Sequence, residues 1–153
     1  MSGAAIAGWG FALPERRVTN ADFEARLDTN DAWITERTGI KERRWAGDDE
    51  STATLATDAG AAAIKSAGLT PADIDLLIVA TCTSETTIPH TGAWVSANLG
   101  LECGSFDLNA ACAGFVYATV VADALMQTQG FRNVLVIGAE VLSRFTDQDD
   151  RGT

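Results

Sequence analysis

The stretch Gly104-Ser-Phe-Asp-Leu-Asn-Ala-Ala-Cys112-Ala-Gly-Phe-Val-Tyr-Ala118 decides the fold of this chain. Its first part is typical of a short strand, predicted over residues 104–109. Its second part begins a long apolar helix, predicted over residues 112–129. A strand that leads directly into a helix is the basic unit of an α/β fold, and it places Cys112 at or near the first turn of the helix.

The position of Cys112 has a chemical consequence. Unpaired backbone N–H groups and the positive end of the helix dipole favour a thiolate over a thiol. Because the thiolate is the nucleophilic form, the position predicts covalent catalysis by acyl transfer. The alternative is a small buried cysteine in a core helix. The local pattern leaves both interpretations open, since free cysteine is among the most buried residue types.

Strands and helices alternate along the rest of the chain. We predict strands over residues 4–13, 74–81, 104–109 and 133–140, and helices over residues 20–27, 31–39, 52–67, 91–99 and 112–129. Residues 41–50 are interpreted as a polar, charged connection. The runs at 74–81 and 133–140 are apolar almost throughout, which is typical of strands covered on both faces in a parallel sheet. The alternation predicts a layered α/β fold.

The helix that follows Cys112 has almost no polar face. Thr119 and Asp123 are its clear polar positions before Gln127. A helix that is apolar all round is buried on all sides. A single sheet with helices on its faces leaves each helix partly in contact with water. We therefore expect more of the same protein, or a partner chain, to cover this helix, and we expect the chain to be cut in mid-fold.

Composition limits the classes of partner. The chain has 153 residues and a formal net charge of -10, which disfavours nucleic acid and anionic membranes as general partners. A basic cluster at Arg37, Lys41, Arg43 and Arg44 predicts either a local anion site or a solvated turn.

Cysteine and histidine usage predicts a reduced, cytoplasmic protein without a metal site. Three widely spaced cysteines do not form a disulfide framework, and Cys82 and Cys103 are expected to be structural. One histidine and no close cysteine pair argue against zinc. No leader pattern is visible, and the apolar runs fall short of the roughly 20 residues of a membrane span.

The segment Asn109-Ala-Ala-Cys112-Ala-Gly-Phe115 resembles the active-site segment of the β-ketoacyl-acyl carrier protein synthase III family. Other segments match that family in order: Asn30-Asp-Ala-Trp-Ile-Thr-Glu-Arg-Thr-Gly-Ile-Lys-Glu-Arg-Arg44, Leu69-Thr-Pro-Ala-Asp-Ile-Asp75, Leu77-Ile-Val-Ala-Thr81, Gly138-Ala-Glu-Val-Leu-Ser143 and Asp149-Asp-Arg-Gly-Thr153. The resemblance implies a thiolase-like α/β fold in which two similar halves build an αβαβα layered structure. Residues 1–153 would be the N-terminal half-domain, truncated, with the C-terminal half absent.

The resemblance also implies an activity. Cys112 would take an acyl group from acyl-CoA. Decarboxylative condensation with malonyl-acyl carrier protein would follow and start fatty-acid synthesis in a cytoplasmic homodimer without a permanently bound cofactor. The family's His and Asn, which stabilise the enolate, come from its second half. His90 does not match that His position, so this chain alone is expected to be an incomplete catalyst.

A coenzyme A site is implied by four further residues. Trp33 and Arg151 resemble the pair that sandwiches the adenine, Arg37 would meet the phosphates, and Thr29 would bond the adenine edge. The alternatives are that Trp33 packs on its own helix, that Arg151 is solvated and that Thr29 is a helix-start residue.

An acyl pocket is implied by Ile88 and Leu142, and for both residues the alternative is core packing. Two other functions stay open. A relative could prime polyketide synthesis or transfer acyl groups to oxygen or nitrogen, because the acceptor chemistry lies in the half that is not seen. A protein of another class would be a non-catalytic half that binds a partner chain.

Overall fold

A computed structural model describes residues 3–152 of the chain. The helices are α1 (Asn20–Glu24), α2 (Asp31–Thr38), α3 (Thr52–Ser66), α4 (Thr91–Leu99) and α5 (Gly114–Gln129), and the strands are β1 (Arg16–Thr19), β2 (Glu42–Trp45), β3 (Leu76–Ala80), β4 (Gly104–Leu108) and β5 (Val134–Gly138). Single 3-10 turns lie at Pro71–Asp73, Ala111–Ala113 and Leu142–Arg144.

The chain divides into two compact units, and each is described by itself. The first, called the sheet unit, comprises residues 3–12 and 51–140. The second, called the arginine unit, comprises residues 13–50 and 141–152.

The sheet unit contains a parallel sheet of three strands in the order β4-β3-β5. Leu76 begins β3 and pairs with Gly104 of β4 on one side and Val134 of β5 on the other. All five residues of β3 are buried, as its apolar run predicts. The prediction of a fully buried strand is wrong for β5, where Leu135 and Ile137 are buried and Gly138 is exposed. The reason is that β5 lies at an edge of the described sheet, so neighbours cover it less than they cover β3.

The two faces of the sheet bury separate apolar clusters. Leu77 and Val79 of β3 pack with α3 and α4 on one face, together with Ala56, Ile64, Val95, Leu135 and Ile137. The alternate residues Leu76, Ile78 and Ala80 pack with Ala118 and Ala122 of α5 on the other face. Because successive side chains of a strand point to opposite faces, β3 contributes to both clusters and lies in the middle layer.

Helix α5 lies on the sheet through small residues and leaves large apolar residues uncovered. Gly114, Ala118 and Ala122 are buried, at a spacing of one helical turn. The outward side chains of Phe115, Val116, Tyr117 and Val120 are 56–64% exposed. This exposure fits the expectation that something further covers the helix.

By length and composition, Ala111–Gln129 is the one helix among the described residues that could cross a membrane. The expectation that every apolar run is too short is therefore wrong for this helix, because Thr119 and Asp123 do not interrupt it. One such helix is weak support for a membrane span, since core helices meet the same criterion.

The strand predicted over residues 4–13 is not formed. None of the three strands in the described sheet pairs with this segment, and without a ladder its backbone groups cannot form a strand. The segment lies against α3 instead. A Cβ on Gly10 would fall 2.5 Å from the Ala59 carbonyl oxygen, so this close approach requires glycine.

The arginine unit contains an antiparallel pair of strands that the sequence does not predict. β1 and β2 pair from Arg16 with Trp45 to Thr19 with Glu42, and β2 lies within residues 41–50, the segment interpreted as a charged connection. Asn20 is 2% exposed and ties the unit together. Its amide donates to Asp31 Oδ1 at 2.7 Å and to the Ile40 carbonyl at 2.9 Å, and its carbonyl accepts from Arg43.

Candidate active site

The carboxyl edge of the parallel sheet gathers the polar groups of the sheet unit. Cys82, Cys112 and Glu140 follow the ends of β3, β4 and β5 respectively. Because parallel strands point the same way, these three residues emerge at one edge. In α/β sheets this edge is where ligands usually bind.

Cys112 lies in the tight 3-10 turn Ala111–Ala113, and α5 begins at Gly114 rather than at the cysteine as predicted. Ala111 has a φ of 45°, a left-handed conformation that is uncommon and strained for a residue with a Cβ. The thiol is exposed, so the interpretation of Cys112 as a buried core cysteine is wrong for the described chain. The turn presents the sulfur at the N-terminal end of α5.

Glu140 connects the end of β5 to the end of β3. Its carboxylate accepts the backbone N–H of Cys82 at 2.8 Å and the hydroxyl of Thr83 at 2.7 Å. A longer bond of 3.4 Å comes from the Thr81 hydroxyl. Since Thr81 and Thr83 are buried, these bonds satisfy polar groups that would otherwise be costly to bury.

The polar contacts continue from Glu140 to the start of α3. The fully buried hydroxyl of Thr52 donates to the Thr83 carbonyl at 2.7 Å and lies 3.0 Å from the Thr83 hydroxyl. The Thr52 backbone N–H donates to the Glu85 carboxylate. Each of these side chains therefore has a hydrogen-bond partner, and the segment after β3 is held in one arrangement.

The two other cysteines differ in environment. A hydrogen bond from its S–H to Glu140 raises the pKa of the Cys82 thiol, and burial and the nearby charges of Glu140 and Cys112 add to the rise. Burial raises the pKa of the Cys103 thiol, which packs against the core. Cys82 is exposed at the sheet edge, which does not support the structural role expected for it. Cys103 packs against the core, which does support that role.

Trp33 is the centre of a cation–aromatic cluster in the arginine unit. The guanidinium carbons of Arg37 and Arg151 lie 4.4 Å and 5.0 Å from the centroid of its ring. Asn30 accepts the Trp33 backbone N–H at 2.8 Å and begins α2, which ends at Gly39 with a φ of 71°, both as predicted. The structure thus brings together residues 118 positions apart in sequence, Trp33 and Arg151.

Comparisons with known proteins give the family. The sequence profile of 3-oxoacyl-[acyl-carrier-protein (ACP)] synthase III matches residues 106–153. Over 98% of its length the chain is 51% identical to the β-ketoacyl-[acyl-carrier-protein] synthase III of Sphingopyxis alaskensis, of which it covers 47%. The chain belongs to the β-ketoacyl-[acyl-carrier-protein] synthase III family. It spans about half the length of the curated relatives that it matches.

Solved structures of this family share the fold. The crystal structure of the synthase III from Aquifex aeolicus matches 99% of the chain, with a TM-score of 0.95 and 45% identity, and the match covers 49% of that protein. The priming β-ketosynthase of the R1128 polyketide pathway matches 95% of the chain, with a TM-score of 0.92 and 36% identity, and 44% of that protein is covered. The predicted thiolase-like α/β fold is confirmed.

The remaining positions suggested by the synthase III resemblance lie as follows. Ile88 in the sheet unit is 88% exposed and Leu142 in the arginine unit is 54% exposed, so the interpretation of these residues as core is wrong for the described chain. Thr29 directly precedes Asn30, and its Oγ1 is shielded from solvent without a partner among residues 3–152. His90 begins α4, where its Nε2 lies 3.2 Å from Ser105 Oγ.

Two features of this synthase III chain were missed by sequence reasoning. Cys82 and Glu140 lie at the same edge of the sheet as Cys112, and the signal that could have found them is the shared carboxyl edge of parallel strands. Within residues 3–152, no group of three His, Cys, Asp or Glu side chains is placed to hold a metal ion.

Proposed function

We propose that the whole protein is a condensing enzyme in which Cys112 carries an acyl group. The observation that carries the proposal is the exposed thiol of Cys112 in the turn before α5, at the carboxyl edge of the sheet, in a chain of the synthase III family. An acyl carrier needs a thiolate that a bulky thioester can reach, and this position supplies both the access and the end of a helix.

The first step is transfer of the acyl group from acyl-CoA. The Cys112 thiolate attacks the thioester carbonyl, the new C–S bond forms, and the coenzyme A thiolate leaves. Negative charge develops on the carbonyl oxygen in the tetrahedral intermediate. The Cys112 backbone N–H is proposed as one of the donors that stabilise this charge.

Coenzyme A is proposed to bind through the Trp33 cluster. An aromatic face and a planar guanidinium suit a nucleobase, and Arg37 supplies positive charge for phosphates. A base stacked between Trp33 and Arg151 needs two van der Waals spacings, about 7–8 Å in all. Because Arg151 lies 5.0 Å from the ring, its guanidinium must move outward when the base enters. Thr29 is proposed to bond the adenine edge, which requires its shielded hydroxyl to become accessible.

The acyl chain is proposed to contact Ile88 and, separately, Leu142. Both side chains are apolar and exposed, so they are available to a ligand in a way that core residues are not. The size of each side chain would then limit which acyl groups are accepted.

The second step needs residues that this chain does not contain. Malonyl-acyl carrier protein is proposed to lose carbon dioxide, and the resulting carbanion attacks the Cys112 thioester to form a C–C bond and release Cys112. The C-terminal half of the whole protein is proposed to supply the His and Asn that stabilise the enolate in this family. The same half is proposed to cover the exposed face of α5. A cytoplasmic homodimer is the proposed assembly.

A second candidate is the priming of polyketide synthesis. The similarity to the R1128 priming β-ketosynthase favours it, since that protein matches 95% of the chain at 36% identity. Both candidates share acylation of Cys112 and differ in the next acceptor. The two candidates are separated by offering the acylated whole protein a malonyl-loaded carrier protein from fatty-acid synthesis and one from polyketide synthesis, and by measuring which one is extended.

The test of the shared step is the mass of the intact whole protein after incubation with acetyl-CoA. We expect one acetyl adduct, located on the peptide that contains Cys112. Cys112→Ala should abolish the adduct, and the matched variant Cys103→Ala should keep it, because Cys103 is partly buried against the core, away from the sheet edge. An unmodified protein whose Cys112 still reacts with iodoacetamide would exclude catalysis and leave a non-catalytic binding protein.

A further inference from the structure

We propose that peroxide joins Cys112 to Cys82 in an intramolecular disulfide, and that Glu140 takes up the Cys82 proton as the bond forms. The inference rests on the proposed function in one respect: Cys112 must react as a thiolate. It adds a modification site and gives roles to two residues, Cys82 and Glu140, that acyl transfer does not use.

The first argument is the adjacency of the two cysteine-bearing segments. β3 and β4 pair from Leu76 with Gly104 to Ala80 with Leu108. The Thr81 N–H continues this pairing by donating to the Leu108 carbonyl at 3.1 Å. Cys82 directly follows this bonded residue, and the segment that carries Cys112 starts from the opposite side of the same rung. Neighbouring strands lie about 4.8 Å apart. Continued by two residues, the register places Cys82 opposite Ala110, directly before the turn Ala111–Ala113 that holds Cys112. A disulfide, which needs a Cα separation of about 4.4–6.8 Å, therefore requires this turn to lie over the end of β3.

The second argument is that the chain after Cys112 returns to β3. A Cβ on Gly114 would lie 3.2 Å from the Cβ of Ala80. The turn that holds Cys112 is therefore attached to the end of β3 on both sides, through Leu108 before it and Gly114 after it. This attachment confines the Cys112 sulfur to the neighbourhood of Cys82.

The third argument is the chemistry around Cys82. Both thiols are exposed, so a small peroxide can reach them. Glu140 accepts the backbone N–H of Cys82 at 2.8 Å, and the hydrogen bond and charge of its carboxylate raise the pKa of the Cys82 thiol. Cys82 is therefore held as a thiol next to a carboxylate that can accept its proton. In this arrangement Cys112 is oxidised first and Cys82 resolves it.

The reaction balances with peroxide as the oxidant. The Cys112 thiolate attacks the peroxide, the O–O bond breaks, and a sulfenic acid and an alkoxide or hydroxide form. The Cys82 sulfur then attacks the Cys112 sulfur, the S–S bond forms and the S–O bond breaks. The departing hydroxide combines with the proton that Glu140 took from Cys82, and water is released. A thiol reductant reverses the disulfide, whereas a sulfinic acid at Cys112 would be permanent.

The experiment treats the reduced whole protein with one equivalent of hydrogen peroxide and measures its intact mass, then blocks free thiols with iodoacetamide and measures peptide masses. We expect the mass to fall by two hydrogen atoms, a linked peptide pair that contains Cys82 and Cys112, and recovery with dithiothreitol. Cys82→Ala should instead gain two oxygen atoms at Cys112 as peroxide increases. The matched variant Cys103→Ala should form the disulfide as the parent does. At a pH where Cys82 is a thiol in both proteins, Glu140→Gln should form it several-fold more slowly, because the carboxylate that accepts the Cys82 proton is gone.

Three outcomes would overturn the inference: sulfinic acid at Cys112 in the parent protein, a disulfide that includes Cys103, or no oxidation of a Cys112 that iodoacetamide still labels. The acetyl-CoA adduct is measured on the same reduced sample. An adduct without a disulfide rejects this inference alone. A disulfide without an adduct rejects the proposed function and leaves the redox pair in place.

Discussion

The sheet unit is held together by two clusters of buried apolar side chains, whereas the arginine unit combines a few buried apolar residues, Val18, Ile34, Trp45 and Val141, with polar and cation–aromatic contacts. Both apolar clusters of the described chain lie in the sheet unit. Of the eleven Lys and Arg residues, only Lys65 and Arg132 belong to it. All of the arginine–aromatic contacts found among residues 3–152 lie in the arginine unit, around Trp33, Phe23 and Trp45.

This difference fits the different tasks proposed for the two units. A parallel sheet packed on both faces is rigid, which suits a nucleophile whose position must be reproducible. A surface of arginines and indole rings suits an anionic nucleotide, because guanidinium groups bind phosphates and stack on aromatic faces. The overall charge of -10 hides this division, since it averages over both units.

The largest effect is expected in the sheet core. Leu77 is fully buried in β3, and Leu77→Ala should lower the free energy of unfolding by about 2–5 kcal/mol, because it removes apolar contacts and leaves a cavity. Ile88→Ala, at an 88% exposed position, should change it by no more than about 0.5 kcal/mol. Urea denaturation of the whole protein measures both. Equal losses would contradict an apolar core centred on β3.

A smaller loss is expected at the polar centre of the arginine unit. Asn20→Ala should lower the free energy of unfolding by about 1–3 kcal/mol, since it removes the hydrogen bonds that this buried side chain makes to Asp31, the Ile40 carbonyl and Arg43. Asn98→Ala is the matched control, because Asn98 is exposed and makes one bond of 3.2 Å to Thr57. The same denaturation measurement applies, and a negligible loss at Asn20 would show that apolar burial holds this unit too.

The nucleotide binding proposed for the arginine unit can be tested at Trp33. Trp33→Ala should weaken coenzyme A binding by about 1–3 kcal/mol, the usual contribution of one aromatic–base stack. Trp94→Ala is the control, because Trp94 is similarly exposed but lies in the sheet unit. Isothermal titration calorimetry measures both affinities. Equal weakening by the two variants would move the nucleotide away from the Trp33 cluster.

The polar character of the arginine unit also predicts a pH dependence. The hydrogen bonds from the backbone and side chain of Thr19 lower the pKa of Asp22, and Arg26 and Arg16 add to the effect. A lowered carboxyl pKa stabilises the fold above the ordinary pKa of the group, and the stabilisation is lost as the pH falls through the lowered value. Asp22→Asn should therefore lower Tm slightly at neutral pH, less than Asn20→Ala does. A thermal melt series should show the two proteins converging in acid, and a constant difference would contradict this.

The smallest effect concerns charge at the sheet edge. Because the bond to Glu140 and the charge of Glu140 raise the pKa of Cys82, Glu140→Gln should shift its alkylation to lower pH. Cys103 provides an internal control, since burial is the main cause of its raised pKa and its alkylation profile should stay unchanged. Peptide mass spectrometry after timed iodoacetamide labelling follows both thiols. A shift at Cys103 would indicate a general loosening of the sheet unit.

Local signals predicted the elements that depend on them. Ser51 begins α3 through a side-chain cap, α4 has the predicted bounds, and the apolar run of β3 is buried throughout. The strand predicted over residues 4–13 failed because strand formation depends on a partner outside the segment. The β1–β2 pair was missed for the same reason. Arg16 of β1 pairs with Trp45 of β2, and helices α1 and α2 separate the two strands in sequence.

The sequence by itself determined the alternation of strands and helices and the apolar character of α5. Its motifs also indicated the family and selected Cys112, Trp33 and Arg151 as candidate site residues. These follow from periodicity, capping and order along the chain, which are properties of neighbouring residues. Tertiary structure alone decided that Arg151 lies over Trp33 and that Glu140 binds the segment after β3. Such contacts depend on strand register and chain return, so no local pattern contains them.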